Sequence, residues 1–179
     1  YKEFSLEDIQ SLLGSEYHEF RLTALFILIL KFEKADEDKK KEIYDFYLKN
    51  SFRINNWDLV DSSAHKIVGA YLIDKDKKIL FTLAKSKNLW ERRISVISTF
   101  HFIKYLQYEN SLNIAQILLN DKHDLIHKAV GWMLREIGKR NQNVEEEFLE
   151  KYYKIMPRTM LRSAIERFSK EKKEYFMKR

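Results

Sequence analysis

The chain reads as all-α, a right-handed α-solenoid of antiparallel helix pairs with a concave basic groove. Three observations carry that expectation. Only 4 Gly and 1 Pro occur in 179 residues, whereas sandwiches, barrels and α/β domains need turn residues at many junctions. No stretch sustains the two-residue alternation of a half-buried strand. Short patterns opened by a cation also recur: Arg93-Ile94-Ser95-Val96, Lys128-Ala129-Val130-Gly131 and Arg162-Ser163-Ala164-Ile165 start 35 and 34 residues apart.

Taken in order, Ser5-Leu6-Glu7-Asp8 is a capping box that opens a short helix through Leu13, which Gly14 ends. Residues 16–33 form a long helix, apolar on most faces (Leu22, Leu25, Phe26, Ile29, Leu30) and therefore an inner one. Residues 36–49 follow, with Ile43, Phe46, Tyr47 and Leu48 on one side and a Lys/Asp/Glu face outside. Asn56 is placed to cap a helix over 57–72. A helix over 75–84 comes next, and Asn88 caps another over 89–108. Helices over 112–119, 124–140, 144–156 and 157–168 complete the series. Pro157 opens the last of them at the first helical position, where its missing N–H costs little. The tail 170–179 is mostly charged and reads as a fraying end, with Tyr175 and Phe176 able to dock.

The period of about one helix pair, with Arg21-Leu22-Thr23-Ala24 as an earlier copy, matches repeats of HEAT or armadillo type. Such repeats stack their second helices along a concave face, a groove suited to an extended ligand. The length suits a single domain over 1–179. Cysteine is absent, which excludes disulfide staples and thiolate chemistry and fits an intracellular, cytoplasmic protein. The longest apolar run, 22–30, contains Thr23 and is flanked by Arg21 and Lys31, so it reads as a buried helix and no membrane is expected as partner. Net charge is +6, compatible with a polyanionic partner and equally with an ordinary basic protein.

The candidate functional residues cluster at the starts of the inner helices. Trp57 and Asp61 lie one helical turn apart and share a face. Trp57 fits a packing residue as well as an exposed aromatic, and Asp58 fits a helix-start charge. Asp61 lies beyond the reach of that benefit, beside the small Ser62 and Ser63, either paired with a cation or poised for a cationic substrate. Arg92 and Arg93 point about 100° apart. Arg92 reads as a surface cation. Arg93 shares the repeat position with Lys128 and Arg162, so it reads as a phosphate contact, a surface cation or a partner of Asp61. Gly131 lets two helices approach, and Trp132 either fills the core or presents an aromatic wall opposite Trp57. His18, His65, His101, His123 and His127 form no metal-ligand motif, so no metal is expected. Gly-rich phosphate loops and nucleophilic triads are missing too. The Lys39-Lys40-Lys41 run reads as a solvated helix face.

Four stretches resemble the AlkD-like DNA alkylation repair family: Asn-Asn-Trp-Asp-Leu-Val-Asp at 55–61, Leu-Trp-Glu-Arg-Arg-Ile-Ser-Val-Ile at 89–97, Lys-Ala-Val-Gly-Trp-Met-Leu-Arg-Glu at 128–136, and Met-Pro-Arg-Thr-Met-Leu-Arg at 156–162. The similarity runs over about 16–168. It implies a HEAT-like glycosylase that excises positively charged N3- and N7-alkylated purines from double-stranded DNA, without metal or organic cofactor. By resemblance Asp61 is the catalytic carboxylate, Trp57 and Trp132 bracket the lesion deoxyribose, and Arg93 contacts phosphate; the repeat position adds Lys128 and Arg162 as DNA contacts. Relatives carry about two further N-terminal helices that this sequence lacks, and Asp124 stands where they can have an aromatic residue. The expectation is a monomeric, monofunctional alkylpurine glycosylase. Two alternatives stand beside it: a non-catalytic protein that binds damaged or branched DNA, and a repeat scaffold for a protein partner.

Overall fold

In the computed structural model residues 4–178 are described, and among them there is no strand. The first helix, α1 (Leu6–Leu13), has the expected capping box: Ser5 Oγ accepts from the Asp8 N–H, and the Asp8 side chain accepts from the Ser5 N–H. It is followed by α2 (His18–Lys34) and α3 (Glu37–Lys49), the latter capped by Asp36. A 3-10 turn at Ser51–Arg53 leads to α4 (Trp57–Ala64), which Asn56 caps. Beyond it come α5 (Ala70–Leu72), α6 (Lys78–Ala84), α7 (Leu89–Lys104) and α8 (Glu109–Ile117). The chain closes with α9 (Asp124–Gly138), α10 (Gln142–Tyr152), α11 (Arg158–Ala164) and α12 (Lys170–Met177).

Helices α2, α4, α7, α9 and α11 pack side by side in chain order as one layer, and α1, α3, α6, α8 and α10 lie against them as the other. This two-layer stacking is an α-solenoid. It explains why α7 lacks a polar face: Arg93, Ile94, Ser95, Val96, Ile97, Ser98 and Thr99 are buried in succession, because α4, α6, α8 and α9 surround the helix. Two glycines sit where inner helices meet. A Cβ on Gly69 would strike the Ser98 carbonyl and His101 of α7, and one on Gly131 would strike the Met160 carbonyl and Ser163 of α11. The close approach expected at Gly131 is thus present.

Several element boundaries differ from expectation for identifiable reasons. The helix expected over 57–72 is interrupted by a π turn, His65–Gly69, at the close contact between Gly69 and α7. α7 stops at Lys104 rather than near 108, because Leu106 adopts φ 61° and the Gln107 N–H turns back to the Phe102 carbonyl. Pro157 is the residue before α11, with ψ 140°, rather than its first residue. The tail does not fray: Ser169 caps α12, and Phe176, 2% exposed, meets Phe168 and Tyr153 edge-on.

The repeat register also needs one correction. Counted from each N-cap of the inner layer (Tyr17, Asn56, Asn88, His123, Pro157), the fifth residue is Leu22, Asp61, Arg93, Lys128 and Arg162 in turn. Arg21 is one residue earlier, equivalent to Arg92. The two make the same bonds: Arg21 Nη1 donates to the Ser15 and Glu16 carbonyls at 2.9 and 3.0 Å, and Arg92 Nη1 to the Ser86 and Lys87 carbonyls at 2.9 and 3.1 Å. His127, at that same place in α9, reaches the Asp121 carbonyl at 2.6 Å. In α2, α7 and α9 the residue before the repeat position thus ties down the incoming loop, whereas in α4 and α11 it is the buried Val60 and Leu161.

One buried acid makes stability depend on pH. Glu145 on α10 is 2% exposed and its Oε1 has no hydrogen-bond partner among the described residues. Burial, with the neighbouring Glu146 charge, pushes its carboxyl up to about 8, against the pull of Arg135. A carboxyl raised on folding leaves its stabilisation intact below the unfolded value and loses it as pH climbs through the folded one. Glu145→Gln is expected to remove a loss of roughly a few kcal/mol between pH 5 and pH 8. Chemical denaturation at both pH values checks this, and equal losses in the two proteins would refute it.

Candidate active site

Local sequence fixes the start of α4. Asn56 Oδ1 accepts from the Trp57 N–H at 2.7 Å and begins the helix there, leaving Trp57 54% exposed. Leu59 and Val60 are fully buried and orient the helix, and Ser63 hydrogen bonds to the Tyr47 hydroxyl at 2.8 Å. Asp58 accepts from the Leu59 N–H and also meets His18 Nε2 at 2.6 Å, which joins the starts of α2 and α4. Asp61 is then carried, one turn after Trp57, onto the side of α4 that faces α7.

The start of α7 is held as firmly. Asn88 caps it by accepting from the Trp90 N–H at 2.9 Å, and Glu91 accepts from Ser51 at 3.2 Å and Ser86 at 2.5 Å. Arg92 is not a free surface cation: besides its loop carbonyls it donates Nε to Asp121 Oδ2 at 2.7 Å. With Arg92 directed that way, Arg93 turns about 100° round the helix and meets α4.

There it closes a two-pronged pair. Arg93 Nε donates to Asp61 Oδ1 at 2.9 Å and Nη2 to Asp61 Oδ2 at 2.7 Å, while Nη1 donates to the Leu125 carbonyl of α9. The side chains are 5% and 18% exposed for Arg93 and Asp61, so the cation is enclosed and the carboxylate keeps an open edge. Burial pushes the Asp61 carboxyl above the usual carboxylate value. Arg93, by hydrogen bonds and charge, pulls it back without reversing the shift, and the Asp58 charge adds to the rise. Each carboxylate oxygen has a second lone pair that the arginine fork does not use. The arrangement can hold a negative charge beside a cationic group while water is largely kept away.

The family model described as DNA alkylation repair enzyme matches residues 1–168. The chain belongs to that family. A solved structure titled "Predicted DNA alkylation repair enzyme from Enterococcus faecalis" shares the fold at 17% identity and TM-score 0.71, over 92% of this chain and 75% of that one. No match is found among curated proteins.

In this family member the other expected site residues are placed unequally around the pair. Trp132 on α9 is half-buried, tilted against Phe100 at a ring distance of 5.7 Å, and Phe100 meets His65 at 5.3 Å. The aromatic link therefore runs from α9 through Phe100 to His65, one turn beyond Asp61; among the described residues no ring contact joins Trp132 to Trp57. Lys128 is exposed and pairs with Asp124 at 2.7 Å, and Arg162 is exposed. Among the described residues no three His, Asp or Glu side chains could hold a metal, and no helix is long and apolar enough to cross a membrane.

Sequence reading missed Glu136. It is 6% exposed and accepts from Trp132 Nε1 at 3.2 Å, from Arg140 Nη1 at 3.0 Å and from Lys139, so it fixes the edge of the indole. Those cations hold its carboxyl below the usual value although burial opposes them. The four-residue spacing of Trp132 and Glu136, followed by two cations, was the available signal.

Removing Arg93 alone leaves a carboxylate in a site built for a pair. Arg93→Ala should destabilise the fold by roughly 3–5 kcal/mol, and Arg162→Ala, exposed, by less than about 0.5 kcal/mol. Denaturant unfolding of both variants checks the contrast, and similar losses would contradict the burial-based assignment.

Proposed function

We propose that this member hydrolyses the N-glycosidic bond of N3- or N7-alkylated purines in double-stranded DNA, acting as a monofunctional glycosylase. The observation that carries the reading is the Asp61–Arg93 pair, a carboxylate with one open edge, one helical turn from the exposed Trp57, in a chain of the DNA alkylation repair family. An N-alkylated purine is already cationic. When the bond from C1′ to nitrogen breaks, both electrons go to the base, which departs neutral without a general acid. The positive charge moves to the sugar as an oxocarbenium-like centre. Asp61 stabilises that charge and orients the water that adds to C1′, whose proton passes to the carboxylate or to solvent.

Arg93 supports this step through Asp61. Three of its five N–H donors go to Asp61 and Leu125 and its side chain is 5% exposed, so it fixes the carboxylate and favours its ionised form while offering little surface to a phosphate. Trp57, and Trp132 held by Glu136, would stand beside the sugar and add cation–π stabilisation of about 0.5–2 kcal/mol each. Lys128 and Arg162 would take backbone phosphates, the ordinary role of exposed cations on duplex DNA.

One observation favours a second reading. A bidentate buried pair is a sufficient structural reason for both Asp61 and Arg93, which suits a protein that binds damaged or branched DNA without cutting it. Base release separates the two. Wild-type protein in excess over methylated duplex should release 7-methylguanine or 3-methyladenine in a single turnover. Asp61→Asn should slow release at least about 100-fold, and Trp57→Ala, at an exposed position, about 2- to 30-fold. DNA binding without release by folded wild type would establish the non-catalytic reading instead.

A further inference from the structure

Beyond the first turns of the inner layer, a hollow of about 370 Å³ opens between the end of α2, the start of α3, the π turn after α4 and the end of α7. Lys40, Lys66, Lys104, His65 and His101 line it, against one carboxylate, Glu33. Lys40 is shared with Glu37 at 3.2 Å and lies 5.9 Å from the Phe32 ring. Lys66 and Lys104 are exposed, and the Lys104 ammonium sits 4.6 Å from the centre of the Phe100 ring. The imidazoles are deeper: His65 is 9% exposed. Burial first, then the Lys104 and Lys66 charges, push His65 down to about 4, and burial with Lys104 lowers His101 as well. At neutral pH both rings are uncharged; the His65 ring is bonded to the Asp61 backbone, His101 offers an N–H donor, and the ammonium groups supply point charges. Crowded cations that depress neighbouring imidazoles make a field that an anion relieves.

His65 and Phe100 tie the hollow to the candidate active site. His65 follows Asp61 by one turn of α4, about 6 Å along a helix axis, and Phe100 bridges His65 to Trp132. A strand carries one phosphate per about 3.4 Å of duplex axis, so cations this near Asp61 fall within reach of phosphates close to the sugar it faces. We propose that this hollow binds a backbone phosphate of the duplex, one or two nucleotides from the sugar that Asp61 faces, through Lys66 and Lys104 with His65 and His101 beneath them. The inference rests on the reading of the Asp61 site as a DNA site, but not on catalysis there.

The test compares wild type with the exposed double variant Lys66→Gln/Lys104→Gln in binding an unmodified fluorescent duplex over a salt series. One lost phosphate contact should make the slope of log K against log[salt] shallower by about 0.9 and weaken binding at low salt. In a second arm, inorganic phosphate is titrated into wild type while the His65 and His101 ring signals are followed by NMR, with chloride at matched ionic strength as control. Phosphate, not chloride, should shift both rings and raise their titration points. An unchanged salt slope overturns the proposal; ring shifts beside an unchanged slope replace it with a site for free phosphate. A shallower slope in the double variant, beside wild type that releases no base, upholds this inference and removes the glycosylase reading.

Discussion

The arginine fork between α4 and α7 is the constraint around which the rest of this molecule is arranged. Arg93 spans three inner helices, because the guanidinium that grips Asp61 on α4 also donates to the Leu125 carbonyl on α9. Two charges removed from water are tolerated only with good geometry and further hydrogen bonds to the pair. Both conditions need α4 and α7 held in fixed register. The Gly69 contact, the Asn56 and Asn88 caps and the diversion of Arg92 to Asp121 and the loop carbonyls all serve that register. At the repeat position the sequence of side chains is Leu22, Asp61, Arg93, Lys128, Arg162. The row of cations thus ends at one carboxylate, and the cation next to it is consumed in holding it. The exposed cations of the row are those of α9 and α11, and a further set lies in the hollow beyond His65.

Much of this was legible in the sequence because it is written locally. Capping residues lie within three positions of the helices they start, so Ser5, Asn56 and Asn88 marked boundaries that the structure keeps. The scarcity of Gly and Pro and the 34- to 35-residue period were enough for the helical solenoid. Trp57 and Asp61 drew attention because their spacing puts them on one face. What stayed open in the sequence mostly concerns partners far apart in the chain. Nothing near Arg93 announces Asp61, 32 residues away, and spacing left pairing as one of three options. The same holds for His18 with Asp58 and Arg92 with Asp121. Arg21 was aligned with Arg93 by similarity of letters; only the N-cap count shows that it belongs with Arg92. The α12 tail looked too charged to order because its anchor, Phe176, is a single residue whose value depends on Phe168 and Tyr153.

The structure also separates two jobs that a row of cations had merged. An enclosed cation sets the state of a carboxylate: Arg93 does so for Asp61. Exposed cations such as Lys66, Lys104 and Arg162 are available to a polyanion and cost little to substitute. A basic pI near 9.3 says nothing about that division; burial does.

The central claim is that Arg93 acts on the substrate through the ionisation and placement of Asp61. The pH dependence of single-turnover base release from methylated duplex, wild type beside Arg93→Lys, tests it most directly. Burial raises the Asp61 carboxyl above its ordinary value, so the account predicts an acid limb in the rate. Lysine keeps the charge but loses the fork, so that limb should move to still higher pH in the variant. An acid limb at the same pH in both proteins, or no limb at all, would contradict it.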